Sequence, residues 1–391
     1  MTKAVIIGAR RTPQGKMLGS LASLSAIDLG VIASKAALED AKVKTSDVEY
    51  CLFGNVLQAG LGQNPARQVA IGAGLGWDTV SITTNKLCLS GSTSIMDAAR
   101  LITSGEAEVV LAGGMESMTN APHLLMNSRK GHTYGDVKMI DHMAEDGLSD
   151  AFDKISMGSS TQHYTDKHSD ITRAAQDEYA ALSHQRAAQA SDSGVFEKEL
   201  AVVEITDRKG NITLVNTDEG VRPETTVETL GRLRPAFSKE GTITAGNASQ
   251  ISDGAAAVVV VSEEYASKHG HQILATIEGY ATVAGPDNSL LSQPANAIDK
   301  ALAKTGWSMN DLKMIEINEA FASVSLRSMN QLGVDESLVN IHGGAISLGH
   351  PIGASGTRLV VHAVHQLLNG DRAAIALCGG GGQGDAILLS R

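Results

Sequence analysis

Two hydrophobic periods alternate along the chain. Residues 4–9, AVIIGA, form an apolar run of strand length, while residues 25–43, SAIDLGVIASKAALEDAKV, place their apolar side chains at helical spacing. VEYCLFGNVL, from Val48, returns to the pattern of a strand. VSITT, from Val80, reads as another, followed by a glycine and serine turn, the helical SIMDAARLITSG and the strand-like EVVLAGG at 108–114. Strands interleaved with helices predict an α/β layered fold.

The same order recurs near the end of the chain. PIGASG is a small-residue turn, TRLVVHAVHQLLNG a helix, and AAIALCGGGGQG a strand running into glycines. Gly105 lies 17 residues beyond Cys88 and Gly370 lies 17 beyond Gly353, so both helices are expected to end on a glycine cap. Two similar halves packed back to back are expected. Residues 118–248 are more polar and break the alternation with RKGHTYGD, DEGVRPETT and the helical ITRAAQDEYAALSHQRAAQA. They read as an inserted loop domain, after which TITAGNASQISDGAAAVVVVS returns to a strand of the first half. The expected division is 1–117 plus 249–271, then 118–248, then 272–391.

Composition narrows the class. The chain has 391 residues, enough for two or three domains, and only 3% are aromatic, so aliphatic and alanine packing should fill the core. A formal charge of -11 disfavours nonspecific binding to nucleic acid or to an anionic membrane. No apolar run reaches the roughly 18 residues of a membrane span, and no export signal follows Arg10 and Arg11, which leads to the expectation of a cytoplasmic protein. Cys51, Cys88 and Cys378 are odd in number and widely spaced, which argues against a disulfide framework, and none forms a CxxC pair that would suggest zinc.

Four stretches carry candidate chemistry. Cys88, in NKLCLSG, lies between a strand and a helix start, where free N–H groups lower a thiol's pKa; a buried structural cysteine is the alternative. His350, in GGAISLGHPIGASG, sits on a constrained loop and could activate a cysteine near neutral pH, or be merely structural. Cys378 opens the four-glycine run of LCGGGGQG, whose amides could approach a developing negative charge, or simply form a tight turn. The dinucleotide alternative is poor, because no helix follows. Asn318 and Glu319, in INEAFA, follow a strand-like segment and could serve a site or cap the next helix.

In order and spacing these four blocks resemble the signature segments of the thiolase family. AGGMESMTNAPH and LRPAFSKEGTITAGNASQISDGAA resemble two further family segments, and the likeness extends from residue 4 to residue 390. It implies a five-layered α-β-α-β-α thiolase fold with two similar halves and a loop domain. It also implies an acetyl-CoA C-acetyltransferase that interconverts two acetyl-CoA with acetoacetyl-CoA and coenzyme A. Cys88 would be the acyl-accepting nucleophile, with its thiolate character raised by His350. Cys378 would move the proton at the α-carbon. Asn318 would hold a water that stabilises one thioester oxygen with His350, and the backbone N–H groups of Cys88 and Gly380 would form the other oxyanion site. Arg222, Thr229, Ser249 and Met157 match positions that contact coenzyme A; for Arg222 a solvated surface arginine is the alternative. No metal or separate cofactor is implied, and a homodimer or homotetramer is expected.

The chain departs from the family pattern at Ser156, where histidine is common, at His342, where asparagine is usual, and in LLSQPANA. These bear on chain length rather than on reaction type. A broader-range 3-ketoacyl-CoA thiolase of fatty-acid degradation therefore stands as the alternative. A decarboxylating β-ketoacyl synthase would carry histidine where Cys378 stands, and a noncatalytic acyl-CoA binder would not need Cys88, Asn318, His350 and Cys378 together.

Overall fold

The computed structural model describes residues 2–391. Its main strands lie in the order Met314–Ile317, Arg372–Gly379, Gln383–Ser390, Ala275–Ala284, Ala4–Arg11, Ser252–Ser262, Val109–Ser117, Tyr50–Gly54 and Val80–Thr84. The ladder is narrow at its middle. Ala4–Arg11 meets Ala275–Ala284 through two residue pairs only, Val5 with Thr276 and Ile6 with Ala275. On either side of that neck the strands form two sheets that share one core.

Side-chain alternation shows how the layers arise. In Ser252–Ser262 the valines follow one another without a break, because both faces of the strand are covered. Val258 and Val260 enter the core between the sheets, whereas Val259 and Val261 point to the opposite face. In the other sheet Ile375 and Leu377 join that same central core, and Ala374 and Ala376 face away. The central layer is built by helices Ser90–Ser104 and Ser355–Gln366, which pack against each other. Helices Ala26–Ala41 and Pro65–Gly72 cover the outer face of one sheet, and Gln293–Thr305 with Ala322–Leu332 that of the other. The result is the five-layered α-β-α-β-α arrangement.

Local signals account for most element ends. Ser25 caps Ala26–Ala41 through a capping box with Asp28. Gly105, with φ of 76°, ends the first central helix as expected. The second central helix differs: it stops at Gln366 with Leu367 extended, and Gly370 instead forms the turn into the next strand, its N–H reaching Arg391 O at 2.6 Å. After the glycine run the chain reverses into the antiparallel strand Gln383–Ser390.

Residues 118–248 carry two two-stranded ribbons and the helices Met157–Thr165, Arg173–Asp192 and Val227–Gly231. They join the first strand at Arg11, through backbone bonds to Glu199 and Ala201 and through buried ion pairs. The fully buried Arg11 guanidinium donates to Glu199 and to Asp218, each at 2.7 Å. Strand Ser252–Ser262 then returns between Ala4–Arg11 and Val109–Ser117, completing the first sheet.

Candidate active site

Cys88 sits on a tight turn between strand Val80–Thr84 and helix Ser90–Ser104. The preceding Leu87 takes a left-handed conformation, φ 53°, unusual for a residue with a branched side chain. The turn is held by Lys86 N donating to Ser90 Oγ at 2.8 Å and by Ser90 Oγ donating to Leu87 O at 2.6 Å. Behind it, Lys86 Nζ pairs with the buried Asp385 at 2.7 Å, and Ser92 Oγ donates to the other oxygen of the same carboxylate. These bonds run from the Cys88 turn in one half to the final strand of the other.

The thiol is nearer to neutral than its position before a helix suggests. Burial pushes Cys88 up to about 12; the N–H groups of Cys88 and Gly380, which reach its sulfur, pull the other way, and the charge of Glu116 adds to the rise. Desolvation therefore outweighs these N–H groups, and the resting thiol is protonated. Cys88 stands two residues ahead of the first helical residue, outside the last unsatisfied turn where the dipole acts most strongly.

His350 is oriented by its own loop. Its Nδ1 lies 2.6 Å from Ser355 Oγ, and that hydroxyl donates its single proton to Pro351 O at 2.9 Å. The hydroxyl thus accepts from Nδ1–H, which leaves a lone pair on Nε2. Asn318 Nδ2 approaches that nitrogen at 3.4 Å. Burial, aided by Arg358, lowers the imidazole to about 4, so it rests neutral at pH 7. Neither Asn318 nor Glu319 caps the following helix, whose cap is Phe321 without a side-chain bond. Glu319 is instead buried among donors, accepting from Tyr179 Oη at 3.0 Å, Ser183 Oγ at 2.7 Å, Asn340 Nδ2 at 3.0 Å and Ile346 N at 3.0 Å. It ties the loop domain and the segment leading to His350 to the Asn318 loop.

Cys88, His350, Gly380, Met157 and Ser249 line one chamber of about 70 Å³, with Leu148, Phe321 and Ile352 among its apolar walls. Met157, Ser249 and His350 also line an adjoining cleft of about 590 Å³, walled by Met17, Met118 and Phe237. Cys378 lies one layer back: it is 1% exposed and packs in a cluster with Leu290, Ala320 and Phe321, which are themselves walls of the chamber. Burial raises its pKa, and so does the neighbouring Cys88. Arg222 and Thr229 line neither space. Arg222 is exposed and its backbone N–H donates to His184 Nδ1 at 3.2 Å, while the Thr229 hydroxyl serves the cap of helix Val227–Gly231.

Sequence reasoning passed over Ser355, Glu116 and the chamber walls. Ser355 and Glu116 lay inside two of the family-like blocks, which was the one signal that could have singled them out. Phe321 and Ile352 also lie inside such blocks but are ordinary apolar residues, and Leu148 lies outside them all.

Comparison with known proteins follows the same lines. The family model for the thiolase N-terminal domain matches residues 4–264, and that for the thiolase C-terminal domain matches residues 271–391. The chain is 54% identical over 391 residues to a probable acetyl-CoA acetyltransferase of Mycobacterium tuberculosis, covering 100% of this chain and 99% of the relative. It is 46% identical over 394 residues to the acetyl-CoA acetyltransferase of Cupriavidus necator, covering all of both. The crystal structure of human mitochondrial 3-ketoacyl-CoA thiolase superposes with a TM-score of 0.95 at 40% identity, over 100% of this chain and 99% of the other. With both family domains matched end to end and the fold shared, this chain belongs to the thiolase family.

Proposed function

We propose that the protein is an acetyl-CoA C-acetyltransferase that condenses two acetyl-CoA to acetoacetyl-CoA and coenzyme A, and runs the reverse thiolysis. The observation that carries this reading is a thiol and a neutral imidazole lining one small apolar chamber, with a second thiol packed behind its wall. The relatives named acetyl-CoA acetyltransferase support the same substrate.

In the first half-reaction the Cys88 sulfur attacks the acetyl carbonyl and its proton passes to His350 Nε2. Coenzyme A leaves as a thiolate and takes the Cys378 proton. The acetyl group is then held on Cys88, with His350 protonated and Cys378 ionised. In the second half-reaction Cys378 removes an α-proton from another acetyl-CoA, and that carbon attacks the acetyl-Cys88 carbonyl. The Cys88 thiolate is expelled and recovers its proton from His350. Each proton lent in one half returns in the other, and the kinetics are ping-pong.

Two oxyanions develop, so two donor sets are needed. The N–H groups of Cys88 and Gly380, which already reach the Cys88 sulfur, serve the acetyl-Cys88 oxygen. His350 and a water held by Asn318 serve the thioester of the second substrate. Asn318 Oδ1 suits that role, being buried with no protein partner. The large cleft suits the pantetheine arm along Met157 and Ser249; Arg222 and Thr229, which line neither space, are assigned to the nucleotide on the family resemblance alone. All of this is chemistry of protein side chains and thioesters, and the reading includes no metal or separate cofactor.

The narrow chamber favours a two-carbon acyl group over longer ones. A cytoplasmic setting fits this use of coenzyme A, and among the described residues no helix is long and apolar enough to cross a membrane. A homodimer or homotetramer fits two surfaces. Strand Val80–Thr84 is a free sheet edge with Val80, Ile82 and the nearby Trp77 exposed, and the ribbon of His123–Leu125 and Met139–Asp141 exposes Leu125, Val137 and Met139.

The direct test adds coenzyme A to acetoacetyl-CoA and follows loss of the 3-ketoacyl absorbance. The wild type should consume it, Cys88→Ala should not, and acetyl-CoA should add one acetyl mass to the Cys88 peptide. Turnover by Cys88→Ala, or equal rates along a series of longer 3-ketoacyl-CoA substrates, would overturn the assignment.

A further inference from the structure

Glu116 is the last charged residue of strand Val109–Ser117 and takes no part in the chemistry described above. It is fully buried, yet no cation pairs with it among the described residues. Its carboxylate is enclosed by four donors from two segments. Oε1 accepts from Asn55 Nδ2 at 2.7 Å and Leu57 N at 3.1 Å; Oε2 accepts from Val56 N at 3.1 Å and Gly353 N at 2.9 Å. Residues 55–57 belong to the first half. Gly353 belongs to the second, three residues beyond His350 and next to the chamber wall Ile352.

The fit around Gly353 leaves no slack. A Cβ there would meet Met115 O at 2.8 Å, Glu116 Oε2 at 2.9 Å and Asn55 Cα at 3.0 Å. The His350 loop is therefore seated on the first half by backbone contact, with one carboxylate closing the seam. Asp253, on the adjacent strand, and Cys88, from the nucleophile's turn, are the titratable groups that bear on it.

We propose that Glu116 is a positioning residue: its carboxylate, held by residues 55–57 and reaching Gly353 N, keeps the His350 loop in register with Cys88. The effect depends on side-chain length. The proposal rests on the roles given above to Cys88 and His350.

Glu116→Asp keeps the charge and shortens the reach; Glu116→Gln keeps the reach and removes the charge. Both variants are compared with wild type in acetyl-CoA condensation and in the pH profile of iodoacetamide alkylation at Cys88, read by mass spectrometry. Glu116→Asp should lower kcat roughly tenfold or more with KM for acetyl-CoA unchanged, while its alkylation profile overlays the wild type. Glu116→Gln, which keeps the reach, should retain more of kcat than Glu116→Asp. A merely structural residue would not lower kcat while leaving KM and the alkylation profile in place. A Glu116→Asp kcat within twofold of wild type, or a folded Glu116→Gln that loses as much kcat as Glu116→Asp, would overturn the proposal. Where Glu116→Gln does not fold, the Glu116→Asp kcat decides. An inactive wild type would instead refute the function, leaving the alkylation comparison still readable.

Discussion

Ser355 decides which nitrogen of His350 can act as a base. Its hydroxyl has one proton, given to Pro351 O, so the imidazole must donate from Nδ1 and keep Nε2 open. Ser355→Ala removes that restraint without emptying the chamber. Losing one buried hydrogen bond of about 1 kcal/mol predicts a kcat roughly fivefold lower with KM little changed. Steady-state kinetics check this, and wild-type kcat would show that the tautomer is set elsewhere. At this scale the sequence offers candidates, Cys88 and His350 on their turns, which the structure brings to one chamber, but not the burial around them, which depends on walls such as Leu148 and Ile352. Ser355 was hidden for a similar reason: a serine five residues past a histidine orients it only because the intervening Pro351 loop folds back.

Where elements meet, the two halves come within backbone contact. A Cβ on Gly114, in strand Val109–Ser117, would fall inside van der Waals contact with Gly353 O and would lie 2.9 Å from Ala354 Cα. Both are backbone atoms that no rotamer change can move. Gly114→Ala should therefore cost about 1–3 kcal/mol of stability and lower kcat by displacing the His350 loop. Chemical denaturation and turnover measured on the same sample test this, and a variant as stable and active as wild type would refute the close fit. Strand and helix positions were readable from periodicity, because continuous apolar runs such as AAAVVVV are buried on both faces. The end of helix Ser355–Gln366 was not. Gly370 was read as its cap, but Leu367 is 2% exposed, and burying it in the central core takes the chain out of the helix three residues earlier.

Across the whole molecule, buried ionisable groups set the response to acid. His184, His342 and His350 each stand at about 4, below the ordinary 6.5. The unfolded chain binds these protons first as pH falls, so they withdraw stability between 6.5 and 4; for His350 alone the difference is on the order of 3 kcal/mol. Glu116 and Glu316 stand at about 7 against an ordinary 4.5, so the folded chain binds protons first and gains stability as pH falls from 7 to 4.5. Glu199, held at about 2 by Arg11 and His362 against its own burial, withdraws stability as pH falls below 4.5. Opposing contributions thus nearly cancel above pH 5, and all resolved losses act together below 4.5. The thermal midpoint should change little from pH 7 to 5 and fall steeply under 4.5, as calorimetry would read; a steady decline from pH 7 would contradict this balance. None of it was legible beforehand, since it depends on partners such as Arg11 and Glu199, 188 residues apart. The paired halves were legible, because each repeats the order of turn, helix and strand. Finally, strand Ser252–Ser262 fills the gap between Ala4–Arg11 and Val109–Ser117. A ribosome must make well over half of the polypeptide before that place is taken, and until then both flanking strands present unpaired edges to other nascent chains. Synthesis speed and chaperone supply, more than final stability, should govern how much native enzyme a cell recovers.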